Sequence, residues 1–187
     1  SETTNLPLLS YIASKKRPVI ISTGMCDMVD ISEAVLTCQQ NGNENITLLQ
    51  CYALYPLPVE SANLAVMDSL QELFQLPTCF SDHTLGLNVS IAAAARGACI
   101  IEKHFTLDRS LLGPDHAASL EPDELNAMVT SIRNIEKVMG DGVKKPSSSE
   151  AKNIPIARKS IVAKTTIKKG ELFKEENLTV KRPGTGI

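Results

Sequence analysis

The sequence predicts an α/β fold in which short parallel strands alternate with helices. Three observations predict it. Apolar runs of strand length recur four times within about 140 residues, each is followed by apolar residues at helical spacing, and the polar residues gather where the strands end. The first strand is Val19-Ile20-Ile21, entered from Arg17-Pro18 and ending in Ser22-Thr23-Gly24. A helix follows over about 30–40, with Ile31, Ala34, Val35 and Cys38 on one face, Asp30 as its N-cap and Asn41-Gly42 as its stop. The second strand is Ile46–Cys51, followed by a helix over 64–74. Thr78–Ser81 is the third strand, and its helix runs from Val89 to Arg96 and is ended by Gly97. Cys99–Glu102 is the fourth strand. The last helix is Pro122–Met139, with Leu125, Met128, Val129, Ile132, Ile135 and Met139 on one stripe. Pro122 suits a first turn and Gly140 a C-terminal cap. Two architectures fit this order: a doubly wound sheet, or half of a (β/α)8 barrel.

The composition changes after residue 140. The stretch 141–155 is polar, includes Pro146-Ser147-Ser148-Ser149, and reads as a linker. Residues 156–187 read as a small β-rich module, with strands at Ser160–Ala163 and Leu178–Val180 and a turn at Lys168-Lys169-Gly170.

Charge and composition exclude some function classes. A net charge of −2 argues against binding nucleic acid through bulk positive charge, and 4% aromatic residues without Trp argue against base-stacking platforms. No apolar run approaches the roughly 18 residues of a membrane-spanning helix. Cys26, Cys38, Cys51, Cys79 and Cys99 include no CxxC pair, so reduced and mostly buried thiols are expected. The opening residues do not read as a secretory leader, the expected location is cytoplasmic, and the sequons at Asn45, Asn88 and Asn177 are read as chance. The chain begins at Ser1 rather than Met, so it is expected to be a processed or partial chain.

In parallel β/α folds ligands sit at the carboxyl ends of the strands. Residues two apart on a strand share a face, so Ser81 and His83 point one way and Asp82 the other. Glu102 and His104 likewise share a face, opposite Lys103. Two imidazoles at neighbouring strand ends can chelate one divalent metal, or each can be a hydrogen-bonded structural residue; spacing alone leaves both readings open. Gly113-Pro114-Asp115-His116 is either a plain turn or a loop carrying a carboxylate over the site. Ser22-Thr23-Gly24 is either a strand-to-helix turn or an anion cradle.

Taken together these segments resemble the sialic acid (N-acetylneuraminate) synthase family. The resemblance is carried by Thr4–Leu9, Pro18–Met25, Tyr55-Pro56, Ser81–Gly86, Ile101–Asp108, Gly113–His116, Ser119–Leu125 and the ending Leu178–Ile187, in order along nearly the whole chain. It implies that 1–140 is the C-terminal half of a (β/α)8 TIM barrel and that 156–187 begins an antifreeze-like (SAF) domain. The implied reaction condenses phosphoenolpyruvate with N-acetylmannosamine to give N-acetylneuraminate and phosphate, with a divalent metal, Mn or Mg, as cofactor.

By position in the family motifs, the resemblance makes His83 and His104 metal ligands. Ser22 and Ser81 become phosphoenolpyruvate contacts. Tyr55 and Asp115 become sugar contacts, and Arg182 a sugar-side arginine lent to a partner subunit in a domain-swapped homodimer. Glu102, on the same face as His104, is the expected acid/base or supporting carboxylate. The family's earlier strands, with lysines that bind phosphoenolpyruvate, are expected to precede Ser1, and the isolated chain is expected to be unstable or self-associating and inactive. One departure is Gln50-Cys51-Tyr52-Ala53, where the family commonly has His-Cys-Thr-Ser or His-Cys-Thr-Asn. Sibling synthases making legionaminate or pseudaminate remain as alternatives, with Gly113–His116 read against the pseudaminate branch. A non-catalytic barrel kept as a binding module is the reading from a different class.

Overall fold

The computed structural model describes residues 2–184, and the chain divides into two units, 1–140 and 141–187. In the first unit, strands β1 (Val19–Ser22), β2 (Ile46–Cys51), β3 (Thr78–Asp82) and β4 (Ile101–Lys103) form one parallel sheet in the order β1-β2-β3-β4. Each strand pairs with its successor, so the order never reverses as it does in a doubly wound sheet. Right-handed crossovers in a sheet of that order put the connecting helices on one face and leave the other for ligands. The architecture is a curled parallel half-barrel.

The helices are α1 (Leu6–Ser14), α2 (Met28–Gln40), α3 (Val66–Phe74), α4 (Asn88–Ala95) and α5 (Pro122–Met139). The face expected for α2 is the buried one: Ile31, Ala34, Val35 and Cys38 pack against Val19, Ile21, Ile46 and Leu48 from the outer side of β1 and β2. A second core holds Leu57, Ala62, Met67, Phe80 and Ala93 between β3, α3 and α4. The stripe expected on α5 is narrower than the sequence suggests. Met128 is buried and Leu125, Ile132 and Ile135 are half-buried, while Val129 and Met139 are exposed.

The start of α2 also differs from the expectation. Asp27, not Asp30, is the N-cap; its Oδ1 accepts from the Val29 and Asp30 amides, and Asp30 Oδ2 accepts from the Asp27 amide. Asp30 is therefore the returning acceptor of a capping box. Asp27→Ala is expected to cost about 1 kcal/mol, read as a lower urea midpoint. The helix ends at Asn41, with Gly42 in the left-handed region at φ 71°.

In the second unit the stretch read as a linker contains one single-turn helix, α6 (Ser148–Ala151), and a second, α7 (Ile154–Ala157), crosses from it into the stretch read as the β-rich module. Strands β5 (Ser160–Ala163) and β6 (Leu178–Lys181) pair antiparallel, Ser160 opposite Lys181 and Ala163 opposite Leu178. The buried Asn177 shapes the return, accepting from the Lys174 amide and donating to the Leu172 carbonyl. Among the described residues no helix is long and apolar enough to cross a membrane. Cys38, Cys51 and Cys79 are buried and Cys26 is half-buried, whereas Cys99 is exposed with its Sγ 3.4 Å from that of Cys79.

Candidate active site at the carboxyl ends of the strands

The register sets the site. Cys51 lies opposite Ser81, and Ser81 opposite Glu102, so these three side chains share the inner face of the sheet. Ser81 Oγ donates to Glu102 Oε1 at 2.6 Å, which ties the two expected site residues to each other. One pleat further along, His83 and His104 project from the ends of β3 and β4 with ring centroids 5.3 Å apart. Tyr55, from the loop after β2, completes a cluster of three rings, its centroid 4.1 Å from His83 and 5.2 Å from His104. Asp115 reaches the same place from the Gly113–His116 loop, with Oδ2 4.0 Å from His104 Nδ1.

The His83 ring has a defined orientation. Its Nδ1 is 2.9 Å from the carbonyl of Tyr52, and a carbonyl only accepts, so Nδ1 carries a proton and Nε2 is the nitrogen that offers a lone pair in the neutral ring. An oriented imidazole with one nitrogen bonded to backbone is the usual state of a metal-binding histidine. Burial, with the nearby Cys51, Asp115 and Glu102, holds the Tyr55 phenol above its ordinary pKa, so it stays a neutral donor at neutral pH. Among the described residues no group of three or more His, Cys, Asp or Glu side chains is arranged for a metal. The two neighbouring imidazoles would suit a divalent cation whose remaining positions are filled by other oxygen or nitrogen donors.

The structure brings His83, His104, Tyr55, Asp115, Ser81 and Glu102 together. Ser22 is on the inner face too, but at the far edge of the sheet, opposite Leu49 on β2; its carbonyl accepts from Thr3 Oγ1. Arg182 belongs to the second unit, where its Nε donates to the Ala157 carbonyl at 2.8 Å. Residue-by-residue reading missed the Tyr52 carbonyl, since a backbone acceptor leaves no mark in the sequence. It also missed Cys51 as a neighbour, with Sγ 3.8 Å from His83 Nδ1. Beside the rings, Met25, Tyr52, Ala53, Leu54, Leu57, Glu60, Ser61 and Asn63 line an open cavity of about 660 Å³. Ala53 packs against Gly24: a Cβ on that glycine would lie 3.4 Å from Ala53 Cβ and 3.3 Å from Cys51 Sγ.

The NeuB family pattern matches residues 1–144, more than half of the chain. The chain belongs to the NeuB family. A SAF domain match follows over residues 158–187. This NeuB chain is 55% identical to the N,N′-diacetyllegionaminic acid synthase of Campylobacter jejuni, an alignment covering 100% of the chain and 56% of that protein. It is 40% identical to human N-acetylneuraminate-9-phosphate synthase over 96% of the chain and 50% of the relative. Its fold matches the crystal structure of N-acetylneuraminic acid synthetase from Leptospira borgpetersenii in complex with citrate. The TM-score is 0.75 at 36% identity, over 82% of this chain and 53% of that one. The chain spans about half the length of the relatives it matches. Its parallel sheet is the C-terminal half of a (β/α)8 barrel.

Proposed function

We propose that the full-length protein condenses phosphoenolpyruvate with the open-chain aldehyde of an N-acetylated amino sugar. The observation that carries this reading is the pair His83 and His104 at adjacent strand ends, one ring oriented by the Tyr52 carbonyl, in a NeuB-family chain. A new carbon–carbon bond forms between the enol carbon and the aldehyde carbon, water adds at the former enol-ether carbon, and phosphate leaves with carbon–oxygen cleavage. His83 through Nε2 and His104 are the residues that would hold a divalent cation, Mn or Mg. Such a cation supplies Lewis-acid polarisation of the aldehyde oxygen when bound.

The remaining roles belong to the chain's own side chains. Ser22 and Ser81 are the phosphoenolpyruvate contacts. Because the Ser81 hydroxyl donates to Glu102, Glu102 must release it before it can donate to phosphate. Glu102 is then the inward carboxylate free to move a proton. Tyr55 and Asp115 hold the sugar, and Arg182 acts on the sugar side from the partner in a domain-swapped homodimer. A cytoplasmic location fits a phosphorylated, charged substrate such as phosphoenolpyruvate. Tyr55→Phe is expected to raise KM for the sugar about fivefold with a smaller change in kcat, as for loss of one neutral hydrogen bond.

N-acetylmannosamine is the first candidate sugar. A doubly N-acetylated sugar is the second reading, and 55% identity to a diacetyllegionaminic acid synthase against 40% to the human relative favours it. Competition between the two sugars in one reaction, with products separated by mass, tests both. The expected result is a nine-carbon keto acid from at least one, with the doubly acetylated sugar preferred. The absence of any condensation product from either sugar would overturn the reading and favour the non-catalytic alternative.

A further inference from the structure

Behind the two histidines lies a buried ion pair. Asp82 and Lys103 are paired in the β3–β4 register and point to the outer face, away from His83 and His104. Lys103 Nζ is 3.0 Å from Asp82 Oδ2, and the two side chains are 3% and 0% exposed. Asp82 Oδ1 accepts from both the amide and the hydroxyl of Thr84, each at 2.8 Å. Asp82 Oδ2 also accepts from Ser90 Oγ on α4 at 2.5 Å. Lys103 Nζ donates onward to the Thr84 carbonyl at 2.6 Å.

A buried ion pair is weak ground for stability, because its desolvation offsets much of its attraction and an apolar pair often does as well. What this network does is local. Its bonds grip the chain at Asp82 and Thr84, immediately before and after His83, and tie both to Lys103, immediately before His104. The His83 carbonyl is held from a third side by the Leu57 amide at 2.8 Å. The strand ends carrying the two imidazoles therefore have little freedom to slide past each other.

We propose that Asp82 and Lys103 are positioning residues for the histidine pair: they set the spacing of His83 and His104 and keep the His83 ring on the Tyr52 carbonyl. The functional meaning rests on the reading of those histidines as a metal pair; the positioning itself does not. The test uses the full-length protein, with Asp82→Asn/Lys103→Met to remove both charges and Ser90→Ala to remove one donor in case the double variant fails to fold. Three quantities are read: the unfolding midpoint, the His83 ring-nitrogen NMR signals of the metal-free protein, and the Mn(II) dissociation constant.

The expected result for the double variant is a midpoint near that of the wild type, His83 signals averaged between tautomers, and Mn(II) binding weaker by about 10–100-fold. Ser90→Ala is expected to shift the same two signals in the same direction by less. A folded variant with the wild-type His83 tautomer and wild-type Mn(II) affinity overturns the proposal. If the wild type binds no Mn(II), the metal reading fails, and the His83 tautomer alone decides: averaging in the variants supports positioning and an unchanged tautomer overturns it.

Discussion

His83→Ala and His104→Ala are each expected to lower condensation by the full-length protein by about 10³-fold or more while leaving it folded. The magnitude follows from the donor count. On the proposed metal reading, His83 and His104 are the two imidazoles that these described strand ends would offer a cation, so removing either halves that pair and weakens the hold on the ion against water. Lewis-acid stabilisation of developing charge is worth several kcal/mol, and about 4 kcal/mol corresponds to about 10³ in rate. His104 is half-buried, so its loss is expected to change the unfolding midpoint little, whereas His83 is buried on the Tyr52 carbonyl and its loss is expected to cost about 1–3 kcal/mol without unfolding the protein. Steady-state rates and Mn(II) binding on the same samples check this. A folded variant retaining a tenth of the wild-type rate would contradict it.

Phe80→Ala is expected to have the largest effect on stability, about 3–5 kcal/mol. Phe80 sits at the middle of β3 with no exposed surface, on the face that packs against α3 and α4. Its ring is surrounded by Leu57, Met67 and Ala93, with Val89 and Ile101 beside them, and short side chains such as Ala93 cannot move to fill the space it leaves. The next residue is Ser81, the partner of Glu102, so loosening β3 reaches the site as well. Urea unfolding checks the expectation; an unchanged midpoint would show that the core collapses onto the gap.

Elements whose signal is local were legible in the sequence. The strand Ile46–Cys51 and the helix Pro122–Met139 have the bounds read from their apolar pattern, because an apolar run and a proline–glycine bracket are written in adjacent residues. Elements that depend on tertiary partners were not. Helix α1 has only nine residues, too few to be stable alone, and forms because Leu9 and Ala13 bury against the first core. The fourth strand begins at Ile101 rather than Cys99, since its ladder starts opposite Phe80.

The site divides in the same way. Alternation along single strands was enough to put Ser81, His83, Glu102 and His104 on one face and Asp82 and Lys103 on the other. That Asp82 meets Lys103, that Ser81 meets Glu102, and that Tyr52 offers its carbonyl to His83 all depend on register and loop path. Those are set by packing between segments about 20–30 residues apart.

The most direct test of the central claim is phosphate release from phosphoenolpyruvate by the full-length protein, with and without an N-acetylated amino sugar, and with Mn(II) or a chelator. The account expects phosphate only when sugar and metal are both present, in equal amount to the keto acid formed, and none after chelation. Sugar-dependent phosphate release that persists in chelator, or none with metal and sugar present, would contradict it.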